Sequence, residues 1–254
     1  YVTPKPDPRL AKDASFTLAA DISADANTVE VLETTKDMVA PNTGFFVRNS
    51  VTIQVDDELI TYTGITKEPP YRFTNCTRGA CNTKVTSHAK GAKVHHLKEC
   101  FGLFLPDGDS TLYGEIAQKT ADAFNECGFD FIYLDAIDAE DIVGGPENGW
   151  HYGSKFVFEL VKHLKRPAVI EMSAFHHHFW FARSRVGAWD APKRSHKAFT
   201  DIHLAQNTKY EKMFLPANLG WWALEIWNGP GYEPTFPDDL EYLLCKALAT
   251  DSGL

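Results

Sequence analysis

Phe129-Asp130-Phe131-Ile132-Tyr133-Leu134-Asp135 is the stretch on which the fold turns, a short apolar run that ends on a carboxylate. Strands buried on both faces of a parallel sheet read as near-continuous apolar runs bounded by helices. Upstream of this run, Asp109 or Ser110 is placed to cap a helix reaching about Cys127, with Ile116, Thr120, Ala123 and Phe124 near helical spacing. Gly128 suits its stop. Downstream, residues 152–164 set Phe156, Val157, Leu160, Val161 and Leu164 on one helical face. The alternation repeats. Strands are expected at 100–105, 168–172 and 219–224, a helix within 193–210, and a last helix over 238–249 begun by Pro237-Asp238. This grammar predicts an α/β fold, a (β/α) TIM-type barrel. Four such units are half of an eight-unit barrel, so the expectation is an incomplete one. Either the chain belongs with the remainder of a longer polypeptide or it is a small open α/β sheet, and the first is preferred.

In parallel α/β folds the reacting groups collect where strands end and loops begin. The run 129–134 leads into Asp135, with Asp138 one turn on; the next strand leads into Glu171, and the one after it into Glu225. Charge beside a buried parallel sheet is costly unless it is paired or used. Glycoside hydrolysis needs two carboxyl groups flanking the scissile bond, roughly 5 Å apart in retaining enzymes. Asp135 is read as the nucleophile and Glu171 as the acid/base, with Asp138 or Glu225 able to replace either or to orient the sugar. The plain alternative is that these acids form loop ion pairs with Arg183, Arg185 or lysines.

The phrase from Phe129 to Asp138, with Asp135 closing an apolar strand of Phe131, Ile132, Tyr133 and Leu134, resembles the strand-plus-Asp signature of α-galactosidase-like and related barrel glycosidases. It spans about ten residues. The resemblance implies a barrel that cleaves O-glycosyl bonds without an obligatory cofactor or metal. The Lys that accompanies this Asp in those families is absent, as is the multi-acid motif of chitinase-like barrels. The likeness is to the superfamily and leaves the sugar open.

Residues 173–185 follow Glu171 at once and hold His176, His177, His178, Trp180, Arg183 and Arg185, with Asp190 just beyond. Adjacent histidines in an extended loop point apart, so at most His176 and His178 share a ligand, and a metal site is disfavoured. Aromatic platforms and polar donors suit a sugar cleft better. Trp222 and Trp227 flank Glu225; one of the consecutive Trp221 and Trp222 is expected to face the core, leaving Trp227 as the better platform. The loop also supports a rival chemistry, a polysaccharide lyase. His177 or His178 would be the base, and Arg183 with Arg185 would bind a uronate carboxylate. The other class is a non-catalytic glycan-binding or structural protein.

The N-terminal half has another grammar. After an extended segment at 1–14, residues 15–97 read as short strands broken by polar turns, which suggests a small antiparallel barrel or sandwich before the partial barrel of 98–254. The runs Asp56 to Gly64 and Asn75 to Val94 resemble a small β module of phage tail and secreted bacterial proteins. Their Gly, Thr and His positions look like turn chemistry. His95-His96 carries no assigned role.

Composition narrows the partners. With 254 residues, 44% hydrophobic and a net charge of -9, the chain can bury a core and is not suited to nucleic acid or an anionic membrane. No apolar run is long enough to cross a bilayer. No signal peptide opens the chain at Tyr1, although one removed earlier would leave such a start, and a secreted or periplasmic home is expected. Among five cysteines, Cys76 and Cys81 sit close enough for a local disulfide, and Cys100, Cys127 and Cys245 read as buried thiols.

Overall fold

The computed structural model describes residues 3–38, 50–137, 140–173, 176–185, 192–209, 216–220 and 222–254, with the side chain of His177 outside that set. It is a mixed α/β structure of several small sheets and helices. By its contacts it divides into two compact units, Tyr1–Thr120 with Ala139–Leu160, and Ala121–Asp138 with Val161–Leu254.

In the first unit, alternating apolar residues build seven short strands: β1 (Lys12–Thr17), β2 (Thr28–Glu30), β3 (Thr52–Val55), β4 (Glu58–Thr61), β5 (Gly64–Ile65), β6 (Arg72–Thr74) and β7 (Lys93–Leu97). They pair antiparallel as a four-stranded sheet, β1-β7-β3-β4, and a three-stranded one, β2-β6-β5. The inward residues Phe16, Leu18, Val29, Ile53, Val55, Ile60, Tyr62, Phe73 and Val94 form one core. Each fully buried side chain of this kind contributes about 1.5–3 kcal/mol. Residues 39–49, within the stretch expected to form short strands, lie outside the described residues.

The motif positions in this unit do more than turn the chain. Glu58 is fully buried, and its carboxylate takes Arg78 Nε at 2.8 Å and Nη2 at 2.9 Å, the N–H groups of Gly79 and Thr86 at 3.0 Å, and His88 Nε2 at 2.9 Å. His88 Nδ1 meets Asp56 at 2.8 Å. Burial pushes the Glu58 carboxyl up, but these donors outweigh it and hold it at about 2. His96, the fourth residue of β7, is buried with Nε2 2.9 Å from the Tyr62 hydroxyl and Nδ1 3.3 Å from Asp13 Oδ2.

The strand expected at 100–105 is a hairpin instead, β8 (Glu99–Cys100) paired antiparallel with β9 (Leu103–Phe104). Phe101 and Gly102 both take positive φ, 52° and 76°, the turn that reverses a chain in two residues. Helix α1 (Thr111–Cys127) follows it; Phe124 O accepts from Phe129 N at 3.3 Å where Gly128, φ 71°, ends the helix. Next come β10 (Phe131–Leu134), α2 (Glu140–Gly144) and α3 (Gly149–His163). The Tyr152 ring lies between Gly108 and Gly144, where a Cβ would come within 2.3 and 2.4 Å of it.

The second unit holds β10, β11 (Val169–Met172), α4 (His196–Asn207), β12 (Ala217–Asn218), α5 (Pro237–Ala249) and β13 (Ser252–Gly253). β10 pairs parallel with β11, setting Tyr133 opposite Glu171, and β12 pairs parallel with β13. Ile132, Leu134, Ile170 and Met172 are buried. By alternation they share one face, and Phe131, Tyr133, Val169 and Glu171 the other. Leu204, Leu219, Leu243 and Ala247 form a second cluster, with Trp222 against it. The strand expected over 219–224 is shorter and earlier: among the described residues there, Ala217 and Asn218 are the ones that pair. Gly220, at φ 98°, gives its N–H to Asn218 Oδ1 at 3.1 Å and so leaves the ladder. Among the described residues the parallel pairs do not close into a barrel.

The cysteines depart from expectation. Cys76 and Cys81 are free thiols, and Cys127 and Cys245 are exposed; only Cys100 is buried as expected. Cys76 donates to Phe73 O at 3.4 Å, and burial pushes its thiol up to about 11. No helix among the described residues is long and apolar enough to cross a membrane.

Candidate functional site

Glu171, the third residue of β11, has no exposed surface. Several kcal/mol oppose burying a lone carboxylate, so its partners decide whether it is tolerated. Oε2 receives Arg185 Nε at 2.6 Å and Nη2 as well, and Oε1 receives Asn218 Nδ2 at 2.7 Å. Asn218 ends β12, so this side chain joins the two strand pairs at their C-terminal ends. Its own carbonyl accepts Asn207 Nδ2 at 3.1 Å.

Arg185 reaches Glu171 because its neighbour Ser184 is laid on β11. Ser184 donates its N–H to Ile170 O at 2.8 Å, and its Oγ accepts Ile170 N–H at 2.9 Å. The Arg185 guanidinium then lies 5.3 Å from the ring centroid of Phe131, on the Tyr133–Glu171 face. Arg183 is buried, with its Nε 3.4 Å from Arg185 O.

Asp135 is the first residue beyond β10 and is exposed. Its Oδ1 accepts the N–H of Ala136 at 2.9 Å, and Ala136 takes a left-handed φ of 54°. Asp135 and Glu171 therefore belong to the ends of adjacent parallel strands. Glu225 lies beyond the end of β12 in irregular chain; its N–H donates to Thr235 Oγ1 at 2.9 Å, and Thr235 N–H returns to its carbonyl at 3.0 Å. Its side chain is half-buried. Asp138 and Asp190 lie outside the described residues.

The aromatic candidates separate into two kinds. A short 3-10 turn, His177–Phe179, buries Phe179. The His178 ring lies 4.2 Å from Phe179, and His176 stacks on it at 6.2 Å and 9°. The two imidazoles are 5.3 Å apart. Trp180 and Trp227 are 74% and 69% exposed, far more than packing requires. Trp222 is half-buried, edge-on to Phe199 at 5.8 Å, with an indole N–H that has no hydrogen-bond partner among the described residues. It belongs to the core cluster, as the alternation of adjacent tryptophans predicts for one of them.

Two residues of this network carry no signal from strand-end carboxylates alone. Asn218 and Asn207 are both buried amides. Asn218 is legible in retrospect from Asn218-Leu219-Gly220, an Asx residue followed two positions on by glycine, which is turn chemistry. Asn207, on the inner side of α4, reads like any helix-end amide. No protein-family model, curated protein or solved structure matches the chain.

Proposed function

We propose that the chain is a secreted or periplasmic carbohydrate-active enzyme that hydrolyses glycosidic bonds at the C-terminal ends of β10 and β11, within a (β/α) barrel of the α-galactosidase-like kind. The observation that carries this is the exposed Asp135 set directly beyond β10, beside a strand whose Glu171 is buried and fully ligated. The parallel pairs β10–β11 and β12–β13, each spanned by helix, support the barrel.

The hydrogen-bond inventory divides the roles. Both oxygens of Glu171 are occupied, so it is a positioning residue that holds Arg185 and Asn218. Asp135 is the carboxylate with open access to a sugar carbon, and it serves as nucleophile. Glu225, whose side chain makes no hydrogen bond among the described residues, serves as proton donor to the leaving oxygen and then as base toward water. The exposed indoles of Trp180 and Trp227 offer apolar faces to sugar rings.

The test is a polysaccharide degradation screen on the full chain, followed by Asp135→Asn and Glu225→Gln on whichever polymer is cut. Each substitution is expected to lower turnover by about 10²–10⁴-fold. Full activity in both variants overturns the assignment, and binding without cleavage of any polymer would favour a non-catalytic glycan-binding protein. The lyase reading is disfavoured by Arg183 and Arg185, one buried and one already paired with Glu171.

A further inference from the structure

Resting on that function, we infer that the site takes uncharged sugars and rejects uronates, and that Glu171 is the residue that sets this preference. Recognition of a sugar carboxylate requires a cation whose charge is not already answered, most often an arginine presented as a fork. Two arginines stand in the loop that follows β11. Arg183 is buried and turns its Nε to the backbone of Arg185. Arg185 is partly exposed, but its Nε and Nη2 are both bound to the fully buried Glu171.

A guanidinium at hydrogen-bond distance from a carboxylate presents a dipole to its surroundings, not a full positive charge. What Arg185 has left is Nη1, with no hydrogen-bond partner among the described residues. Gly253 lies beside it, where a Cβ would stand 3.4 Å from Nη1, an ordinary contact. A neutral-seeming donor suits a ring hydroxyl. It does not suit a carboxylate, whose recognition needs a positive charge that is not already answered.

The probes are galactose-based oligosaccharides and their galacturonate counterparts on a glycan array, with the full chain labelled and bound at low salt and at about 0.5 M salt. Wild type is expected to bind neutral glycans with affinity nearly independent of salt, and uronates at least about tenfold more weakly. Glu171→Gln releases the charge of Arg185, so the uronate-to-neutral ratio should rise about tenfold and become salt-sensitive. Should Glu171→Gln not fold, the salt series on wild type decides alone: salt-sensitive uronate binding equal to or tighter than neutral binding overturns the inference. An unchanged ratio in a folded Glu171→Gln protein overturns it too. If wild type cuts or prefers uronate polymers, only this inference fails. If it binds neither class and cuts nothing, the functional reading fails and takes the inference with it.

Discussion

Arg185 and Glu171 meet at a single carboxylate oxygen: Nε stands 2.6 Å from Oε2 and Nη2 reaches the same atom, leaving Oε1 to Asn218. The Glu171 side chain is fully buried while the Arg185 side chain keeps 24% of its surface. The partners are therefore unequal in what their loss would do.

Removing the cation leaves a buried charge behind. Arg185→Leu should destabilise the protein by about 3–5 kcal/mol. Glu171→Gln removes the charge from the buried position and returns Arg185 toward water, so its cost should be smaller, about 1–3 kcal/mol. Urea unfolding of both variants checks the order; equal losses would mean that Glu171 draws its stability from elsewhere.

The Glu58 carboxyl sets an acid limit on the first unit. Its folded value, about 2, lies below the ordinary 4.5, so the folded chain binds this proton less readily than the unfolded one. Its contribution is complete above the ordinary value and is lost as pH falls from 4.5 through about 2. The shift corresponds to at most about 3 kcal/mol. Unfolding midpoints measured across that window should fall with pH in wild type and change less in Glu58→Gln, which starts lower.

Trp180 and Trp227 separate binding from folding. Replacing either with Ala should leave stability within about 0.5 kcal/mol, since both indoles are largely in solvent. Affinity for an oligosaccharide should fall several-fold in each variant. Calorimetry of unfolding and of binding on the same samples tells the two effects apart, and unchanged affinity in both would remove them from the cleft.

Tyr62→Phe is a probe of the first core. The hydroxyl stands 2.9 Å from His96 Nε2 and 3.3 Å from Ser50 O inside a buried cluster. Its deletion orphans the imidazole nitrogen and should cost about 1–3 kcal/mol in chemical unfolding.

Much of the secondary structure was legible because periodicity is local. The apolar run ending at Leu134 and the helical faces around Phe124 and Leu160 each carry their own pattern, and the strands and helices are where those patterns place them. What local pattern could not give was direction and partnership. Residues 100–105 look apolar enough for a parallel strand, but two successive positive φ values at Phe101 and Gly102 fold them back on themselves. Trp222 to Leu224 look like strand too, and Gly220 turns the chain before they begin. At the site, the positions of Asp135 and Glu171 follow from strand ends. That Glu171 is spent on Arg185 and Asn218 depends on chain that returns 14 and 47 residues later, and no local reading reaches that far.

The buried carboxylate of Glu58 also has a kinetic meaning. By gripping His88, 30 residues on, it closes a loop much as a covalent cross-link would, with Arg78, Gly79 and Thr86 fastened along the way. Closing a segment of that length opposes folding by a few kcal/mol of chain entropy, and Glu58 shares the recovery of it with the paired strands β4, β5 and β6 inside the loop. When Glu58 lets go, the stretch between β6 and β7 that holds Arg78, Gly79, Thr86 and His88 loses its anchors together, so proteases should find their first cuts there.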